Sequence, residues 1–475
     1  MYELPQRTLK QSIDWRLVVC YLLLVLIGWL NIYAASHAAE GSRILDFSVR
    51  SGKQFVWILT SLGLAALILF VFNPRLWEVI SVPTYLLVLV LLVAVIVLGV
   101  EVKGSRSWFA LGPVRFQPAE ISKIATSLVL ATVMSRPGFK LSRKTDLLQV
   151  AAVIGLPMLI ILAESETGSA LVYLGFVFVL YREGLNGWFL VAIGAAVLLF
   201  VLTLTASPYA SALALIGMVG LFYYAHSGRL KYWPVVEGLA LVFLAFMPRL
   251  LALFTTFPPM KALAAVCALM VLRLVWKALR ERDSVLWLTL AAFLVGIAFI
   301  YSTEFIFNDV LQEHQRKRIE VLLGLKEDPA GVGYNVNQSM IAIGSGGLFG
   351  KGFLHGTQTA FGFVPEQSTD FIFCTVGEEW GFVGCLLVIL LYIFMIARIL
   401  IDSERCRESY TRIYGYCVAS LIFMHLFINI GMTIGLVPVI GIPLPFLSYG
   451  GSSLWAFTIL LFIFLALYRQ ERKYF

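Results

Sequence analysis

The sequence has little charge, few histidines and no paired cysteine pattern. Only 13% of its 475 residues are Asp, Glu, Lys or Arg, against roughly a quarter in an ordinary soluble domain, which excludes a soluble globular enzyme. The five histidines (His37, His226, His314, His355, His425) are dispersed, with no H-E-x-x-H spacing for a zinc hydrolase. The six cysteines (Cys20, Cys267, Cys374, Cys385, Cys406, Cys417) fall mostly in or beside apolar runs and lack C-x-x-C spacing, so they read as packing residues rather than a disulfide framework or metal site. Polar low-complexity tracts are absent as well, which excludes a disordered or collagen-like chain.

What remains is apolar: 60% of the residues are hydrophobic. Because a transmembrane helix needs about 20 mainly apolar residues, this inventory fills a dozen or more spans. Runs of spanning length lie near 15 to 35, 54 to 72, 78 to 100, 119 to 134, 147 to 163, 167 to 182, 187 to 206, 209 to 226, 233 to 251, 261 to 280, 285 to 304, 371 to 400, 412 to 435 and 452 to 469. The fold class expected is an all-α polytopic membrane protein of about fourteen spans. The first run is longer than a signal peptide's core and is read as an uncleaved first helix.

The net charge of +8 comes from basic residues scattered in short clusters between apolar runs, the pattern of cytoplasmic membrane loops and not of a nucleic-acid surface. With the N-terminus inside, Arg136 to Lys144, Arg273 to Arg282, Arg398 to Arg412 and Arg469 to Lys473 all fall on the cytoplasmic side, as the positive-inside rule requires. Both termini are then cytoplasmic. The longest polar segment, about 305 to 370, is then outside, and a loop of that length is usually functional or disordered. Its composition does not read as disordered.

Three polar constellations share that outer side. In the first, Lys103, Arg106 and Arg115 precede Gln117-Pro118-Ala119-Glu120-Ile121-Ser122-Lys123, and Glu120 and Lys123 share a helix face at i,i+3. They form either a structural ion pair or a charged wall of a polar cavity. The second is Glu164-Ser165-Glu166-Thr167-Gly168 in the tight turn between the fifth and sixth spans, two carboxylates that are often simply solvated. The third is the long segment itself, with Arg316, Arg318, Lys351 and finally Asp370, where the next apolar run begins. Asp370 is either a helix N-cap or a base at the membrane surface. The glycines from Gly344 to Gly352 imitate a phosphate-binding loop, but Ser345 and Gly352 stand where Gly and Ser/Thr belong. They more plausibly permit tight turns and close backbone approach.

The segments KGSRSWFALGPVRFQPAEISK (103 to 123), the turn at 164 to 170, DPAGVGYNVNQSMIAIGSGGLFGKG (328 to 352), GTQTAFGFVPEQSTDFIF (356 to 373), GEEWGFVG (377 to 384) and NIGMTIGLVPVIGIPLPFLSYGGSS (429 to 453) together resemble the SEDS family (shape, elongation, division and sporulation). The wording is closer to its elongation members than to its division members. The resemblance covers residues 1 to about 206 and 305 to 475. It implies a peptidoglycan glycosyltransferase that polymerises lipid II at the outer face of the bacterial cytoplasmic membrane, releasing undecaprenyl diphosphate. It further implies Asp370 as the catalytic aspartate, Glu120 and Lys123 as the cavity pair, and a class B penicillin-binding protein and the elongation machinery as partners. Lys351, Arg106, Arg115, Arg316 and Arg318 are candidate cations for the diphosphate, and Lys103 and Glu166 are further candidates for binding the substrate. Whether a divalent cation assists is left open.

The chain departs from the family in four places. Ser368 stands where a histidine is common, Glu166 replaces an aspartate, and Leu323-Gly324-Leu325 replaces an L-D-P. Length is the fourth departure, since the family core has ten spans. The expected organisation is therefore core 1 to 206 with seven spans, an inserted four-span block 207 to 304, an extracytoplasmic loop 305 to 370 and core 371 to 475 with three spans. An even insertion leaves Asp370 outside. Two other classes remain at this stage: a flippase for lipid-linked precursors, since periodicity leaves an inverted-repeat transporter open, and a noncatalytic scaffold for cell-wall synthases.

Overall fold

A computed structural model describes residues 12–40, 44–102, 105–111, 114–227, 259–311, 313–323, 325 and 332–472. Chain contacts divide it into two compact units, Met1–Asn186 with Asp328–Phe475, and Gly187–Glu327.

In the first unit α1 (Trp15–Glu40), α2 (Arg50–Ala66, extended by a π-turn at Leu67–Val71) and α3 (Arg75–Leu98) are followed by a small antiparallel sheet of β1 (Val100–Val102), β2 (Ser105–Leu111) and β3 (Val114–Phe116). The sheet is a local addition to an otherwise helical fold. Phe109 pairs with Phe116 across it, so the chain leaves β3 directly into α4 (Pro118–Met134). Pro118 sits in the first turn of α4 beside Glu120; a proline's fixed φ and an acidic first turn both favour a helix start. Next come α5 (Lys144–Ala163), α6 (Thr167–Val172) and α7 (Phe176–Arg182), the last two joined by a 3₁₀ turn.

The second unit holds α8 (Trp188–Thr205), α9 (Pro208–Ser227), α10 (Pro259–Glu281), α11 (Ser284–Phe305) and α12 (Glu313–Leu322). A separate apolar core, including Leu199, Tyr209, Leu215, Leu274, Leu290 and Phe293, holds α8 to α11 together. The first unit then resumes with α13 (Val332–Ser345), α14 (Ile372–Glu404), α15 (Ser409–Thr433) and α16 (Gly451–Arg472).

Every expected span falls on a described helix except the one near 233 to 251, which lies outside the described residues. Among the described residues, nine helices are long and apolar enough to cross a membrane. The shorter ones include α4, whose residues are almost all buried. Helix α10 is long but carries Lys261, Arg273, Lys277, Arg280 and Glu281. Helices α15 and α16 are also largely enclosed, so α4, α15 and α16 form the centre of the first unit.

Helix α14 is interrupted at Gly381, which has φ +65° and ψ −160°. There the glycine stretch of 344 to 352 docks against it. The Lys351 and Gly352 amides donate to the carbonyls of Glu378 and Glu379, and those of Phe382 and Val383 donate back to Gly347 and Leu348. The glycine run is thus a backbone-to-backbone contact, as its composition suggested, and not a phosphate loop. At the far end of α14, Arg398 lies between Asp14 at 2.5 Å and Asp402 at 3.0 Å, tying α1 to α14.

A Cβ at Gly381 would stand 2.3 Å from the Gly350 nitrogen on a left-handed backbone. Gly381→Ala is therefore expected to cost about 1–3 kcal/mol or more, through overpacking and backbone strain together. Thermal unfolding in detergent should show a midpoint several degrees lower, and an unchanged midpoint would contradict the contact.

Candidate active site

The site is built around the loop that joins α15 to α16. Residues 440 to 443 of this loop reach all three polar constellations, directly or through one intervening residue. Gly441 adopts φ +75°, and a Cβ there would lie 3.3 Å from Oδ2 of Asp370. On the same loop, Ile440 and Ile442 pack against Gly168 of the acidic turn, with side-chain atoms 3.0 Å from where its Cβ would be. Pro443 offers its carbonyl to Nδ1 of His425 at 3.0 Å.

His425 leads to the charged pair. Lys123 Nζ donates to Oε1 of Glu120 and to Nε2 of His425, both at 2.9 Å, and lies 5.0 Å above the Phe457 ring. An ammonium is only a donor, so Nε2 accepts and the His425 proton sits on Nδ1, facing Pro443. All three side chains are buried. With Ile124, Ala456, Phe457 and Leu460, Glu120 and Lys123 line a narrow crevice.

The acidic turn joins this group through Gln117, whose Nε2 donates to Oε1 of Glu166, and through Ser169, whose hydroxyl donates to the same oxygen at 2.6 Å. Burial pushes the Glu166 carboxyl above its ordinary range, with Glu120 adding repulsion. Glu164 moves the same way, from its ordinary 4.5 to about 8, first through burial and then through Glu166. Oε2 of Glu120, Oε2 of Glu166 and both carboxylate oxygens of Glu164 are buried without a hydrogen-bond partner.

Asp370 is half-buried, one residue before the N-cap of α14, which is Phe371. The capping position therefore does not belong to Asp370. Its backbone is strapped on both sides: Asn429 Nδ2 donates to the Asp370 carbonyl at 2.8 Å, the Ser448 hydroxyl to that of Thr369 at 2.6 Å, and the Tyr449 amide to that of Ser368 at 2.8 Å.

Asp370 thus lies against this loop, Lys123 and Glu120 reach it through His425, and the Glu166 turn meets it at Gly168. The remaining cations are distributed differently. Arg106 is exposed and pairs with Glu101 at 3.6 Å. Lys103 and the side chains of Arg115 and Arg318 lie outside the described residues. Arg316 belongs to the second unit, where it pairs with Glu320 at 3.0 Å. Lys351 donates to Oε1 of Glu378 and to the Thr357 hydroxyl, both at 2.7 Å. Among the described residues, no three His, Cys, Asp or Glu side chains converge on a metal position.

Two residues not singled out from the sequence matter here. Arg50 donates to the Ser368 hydroxyl at 2.5 Å and lies 6.0 Å from the Tyr449 ring centre, which places a guanidinium two residues from Asp370. Its only sequence signal is an arginine at the edge of an apolar run. Glu378 accepts from Lys351 and Thr357, from the amides of Thr357, Gln358 and Thr359, and from the Thr359 hydroxyl, between 2.7 and 3.2 Å. Glu378 lies in the GEEWGFVG segment, but its partners, some twenty residues earlier, are brought to it only by the fold.

The FtsW/RodA/SpoVE profile, described as cell cycle protein, matches residues 14–216 and 213–473. The chain belongs to this family. The SEDS resemblance of the six motifs is therefore borne out, and the FtsW/RodA/SpoVE chain is a multi-pass membrane protein. It is 33% identical to the peptidoglycan glycosyltransferase RodA of Treponema pallidum (strain Nichols), over 93% of this chain and 94% of that one. Identity is 32% to the peptidoglycan glycosyltransferase MrdB of Escherichia coli (strain K12), over 94% and 90%. A chain of a solved peptidoglycan synthase complex, described as coordinating polymerization and crosslinking, superposes with a TM-score of 0.59 at 26% identity, covering 97% of this chain and 98% of that one. The rod shape determining protein RodA of Thermus thermophilus shares the fold, with a TM-score of 0.52, 23% identity and 97% of both chains covered.

The raised Glu164 gives a stability signature. The folded state keeps a proton that the unfolded state releases near pH 4.5, so its contribution is complete below that pH and is lost as pH rises through about 8. The unfolding midpoint of the wild type should fall by several degrees across this window. In Glu164→Gln the slope should be visibly flatter, and an unchanged slope would refute the assignment.

Proposed function

We propose that this protein is a peptidoglycan glycosyltransferase of cell elongation, polymerising lipid II into glycan strands at the outer face of the cytoplasmic membrane. The observation that carries this reading is the convergence of Asp370, Glu166, Glu120 and Lys123 on the 440 to 443 loop in a chain so similar to relatives named peptidoglycan glycosyltransferases.

In the reaction, the 4-hydroxyl oxygen of the acceptor sugar bonds to the anomeric carbon of the donor. The bond from that carbon to the phosphate oxygen breaks, and undecaprenyl diphosphate departs with the electron pair. Asp370 takes the hydroxyl proton. Its support is positional: it is a half-buried carboxylate outside the helix cap, on a backbone held from three directions. Negative charge collects on the leaving diphosphate, and a cation already in place stabilises it without reorganisation. Arg50 suits that role better than Lys351, because Lys351 is already paired with Glu378, a carboxylate with no exposed surface. Lys123, held by Glu120 within the crevice, is the candidate for orienting the substrate from the other side.

The solved complex that this chain resembles supports a transpeptidase partner, a class B penicillin-binding protein, that cross-links the product. In this reading both termini face the cytoplasm and Gly187–Glu327 includes the additional membrane block. Structural packing, which the block's own apolar core supports, is the role given to it in this reading.

A general base contributes about 10²- to 10⁴-fold to rate. Asp370→Asn, purified with the cognate transpeptidase, should polymerise fluorescently labelled lipid II at least about 10²-fold more slowly while still assembling with its partner. Polymer at the wild-type rate would remove Asp370 from the mechanism. Translocation of lipid II in proteoliposomes without any polymer would favour a flippase instead. Arg50→Gln should slow turnover by about tenfold or more, the scale of one lost charge-stabilising contact. A wild-type rate in that variant would return the role to another cation.

A further inference from the structure

Asn429 has no exposed surface and lies on α15 facing the catalytic loop. Its Nδ2 donates to two carbonyls, Asp370 at 2.8 Å and Ile442 at 2.7 Å. These partners fix the amide's orientation, since the opposite flip would set an oxygen against two carbonyl oxygens. The residues bridged are 72 positions apart (442 − 370), and Gly441, against which the Asp370 carboxylate lies, precedes the second of them. One helical turn earlier on α15, His425 holds the next carbonyl, Pro443. The floor under the carboxylate is thus pinned to α15 at two consecutive residues, while the aspartate's own backbone is pinned to the same asparagine.

We infer that Asn429 is a positioning residue for glycosyl transfer: by bridging the carbonyls of Asp370 and Ile442, it holds the Asp370 carboxylate against the Gly441 turn. This rests on Asp370 being the base. Asparagine suits the position because one small neutral group supplies two hydrogens, whereas a lysine or arginine would bring an additional charge into the interior. Removing the bridge leaves two carbonyls without this partner and lets the turn before α14 move relative to the loop. A displacement of about 1 Å at a reacting group is enough to cost on the order of 10²-fold in rate.

The test uses the full chain with its transpeptidase partner and labelled lipid II. In Asn429→Asp the shape is kept and the donor group is lost. The expected result is a kcat lowered by about tenfold or more, with KM for lipid II within about threefold and with partner assembly retained. A merely structural role would instead lower stability or the amount of complex and leave the turnover of the folded fraction intact. If Asn429→Asp keeps its kcat within about threefold of wild type, the proposal is overturned. Should that variant fail to fold, Gly441→Ala decides, because its methyl would meet Oδ2 of Asp370 at 3.3 Å. A lowered kcat at unchanged KM then supports the proposal, and an unchanged kcat overturns it. Asp370→Asn is the third arm. If it polymerises normally, the base assignment itself fails and the positioning role falls with it. If it is inactive while Asn429→Asp turns over normally, only the positioning role fails.

Discussion

A single buried ammonium organises the centre of this protein. Lys123 has almost no exposed surface, and an unpaired charge in that environment is prohibitively expensive. Its two hydrogen-bonded partners and the ring beneath it come from the three most enclosed helices: Glu120 from α4, His425 from α15 and Phe457 from α16. Satisfying one lysine therefore fixes three helices relative to each other. Because His425 can accept from Lys123 only when its proton is on Nδ1, the same constraint orients the hydrogen bond to Pro443. The chain that follows α15 is then set by the charge it encloses. Such a pair is weak ground for stability but a strong device for specificity of arrangement, and a site that must hold reacting groups in register uses that specificity.

The carboxylates near this centre fall into two classes according to how fully they are satisfied. Glu378 receives donors on both oxygens, including three backbone amides and an ammonium. It has no acceptor capacity aimed elsewhere, and it closes the 351 to 359 loop onto α14. Glu120, Glu164 and Glu166 each retain a buried oxygen without a partner. An unsatisfied buried oxygen costs free energy, and these three carboxylates come from two distant segments, the start of α4 and the turn after α5, that Gln117 joins through Glu166. Lys351, held by Glu378, belongs with the residues that build the 351 to 359 loop.

Much of this was legible in the sequence because membrane burial imposes strong patterns. Spans follow from apolar length, and the polar exceptions Glu120, Lys123, Glu166 and Asp370 stand out against that background. Their i,i+3 spacing was enough to pair Glu120 with Lys123. The residues that escaped notice are those whose significance lies in a distant partner. Nothing local distinguishes Arg50 from a helix-flanking arginine until Ser368, 318 positions away, meets it at 2.5 Å. His425 and Asn429 looked like polar residues in an apolar helix, and only the fold reveals the carbonyls they hold. The short sheet of residues 100 to 116 was hidden for another reason, since a hairpin next to a span reads as loop when scanned for apolar length.

Ser368, where the resemblance led to the expectation of a histidine, takes on a physical meaning beside Arg50. A guanidinium donating to a hydroxyl requires no change of protonation state on either side. A histidine in that place would be a competing donor or a second cation beside Arg50. Ser368 is a compact neutral acceptor that holds the Arg50 guanidinium without adding a charge beside it. The guanidinium is thereby held two residues from Asp370 by a single hydroxyl, and its placement depends on the Tyr449 amide that fixes the Ser368 backbone.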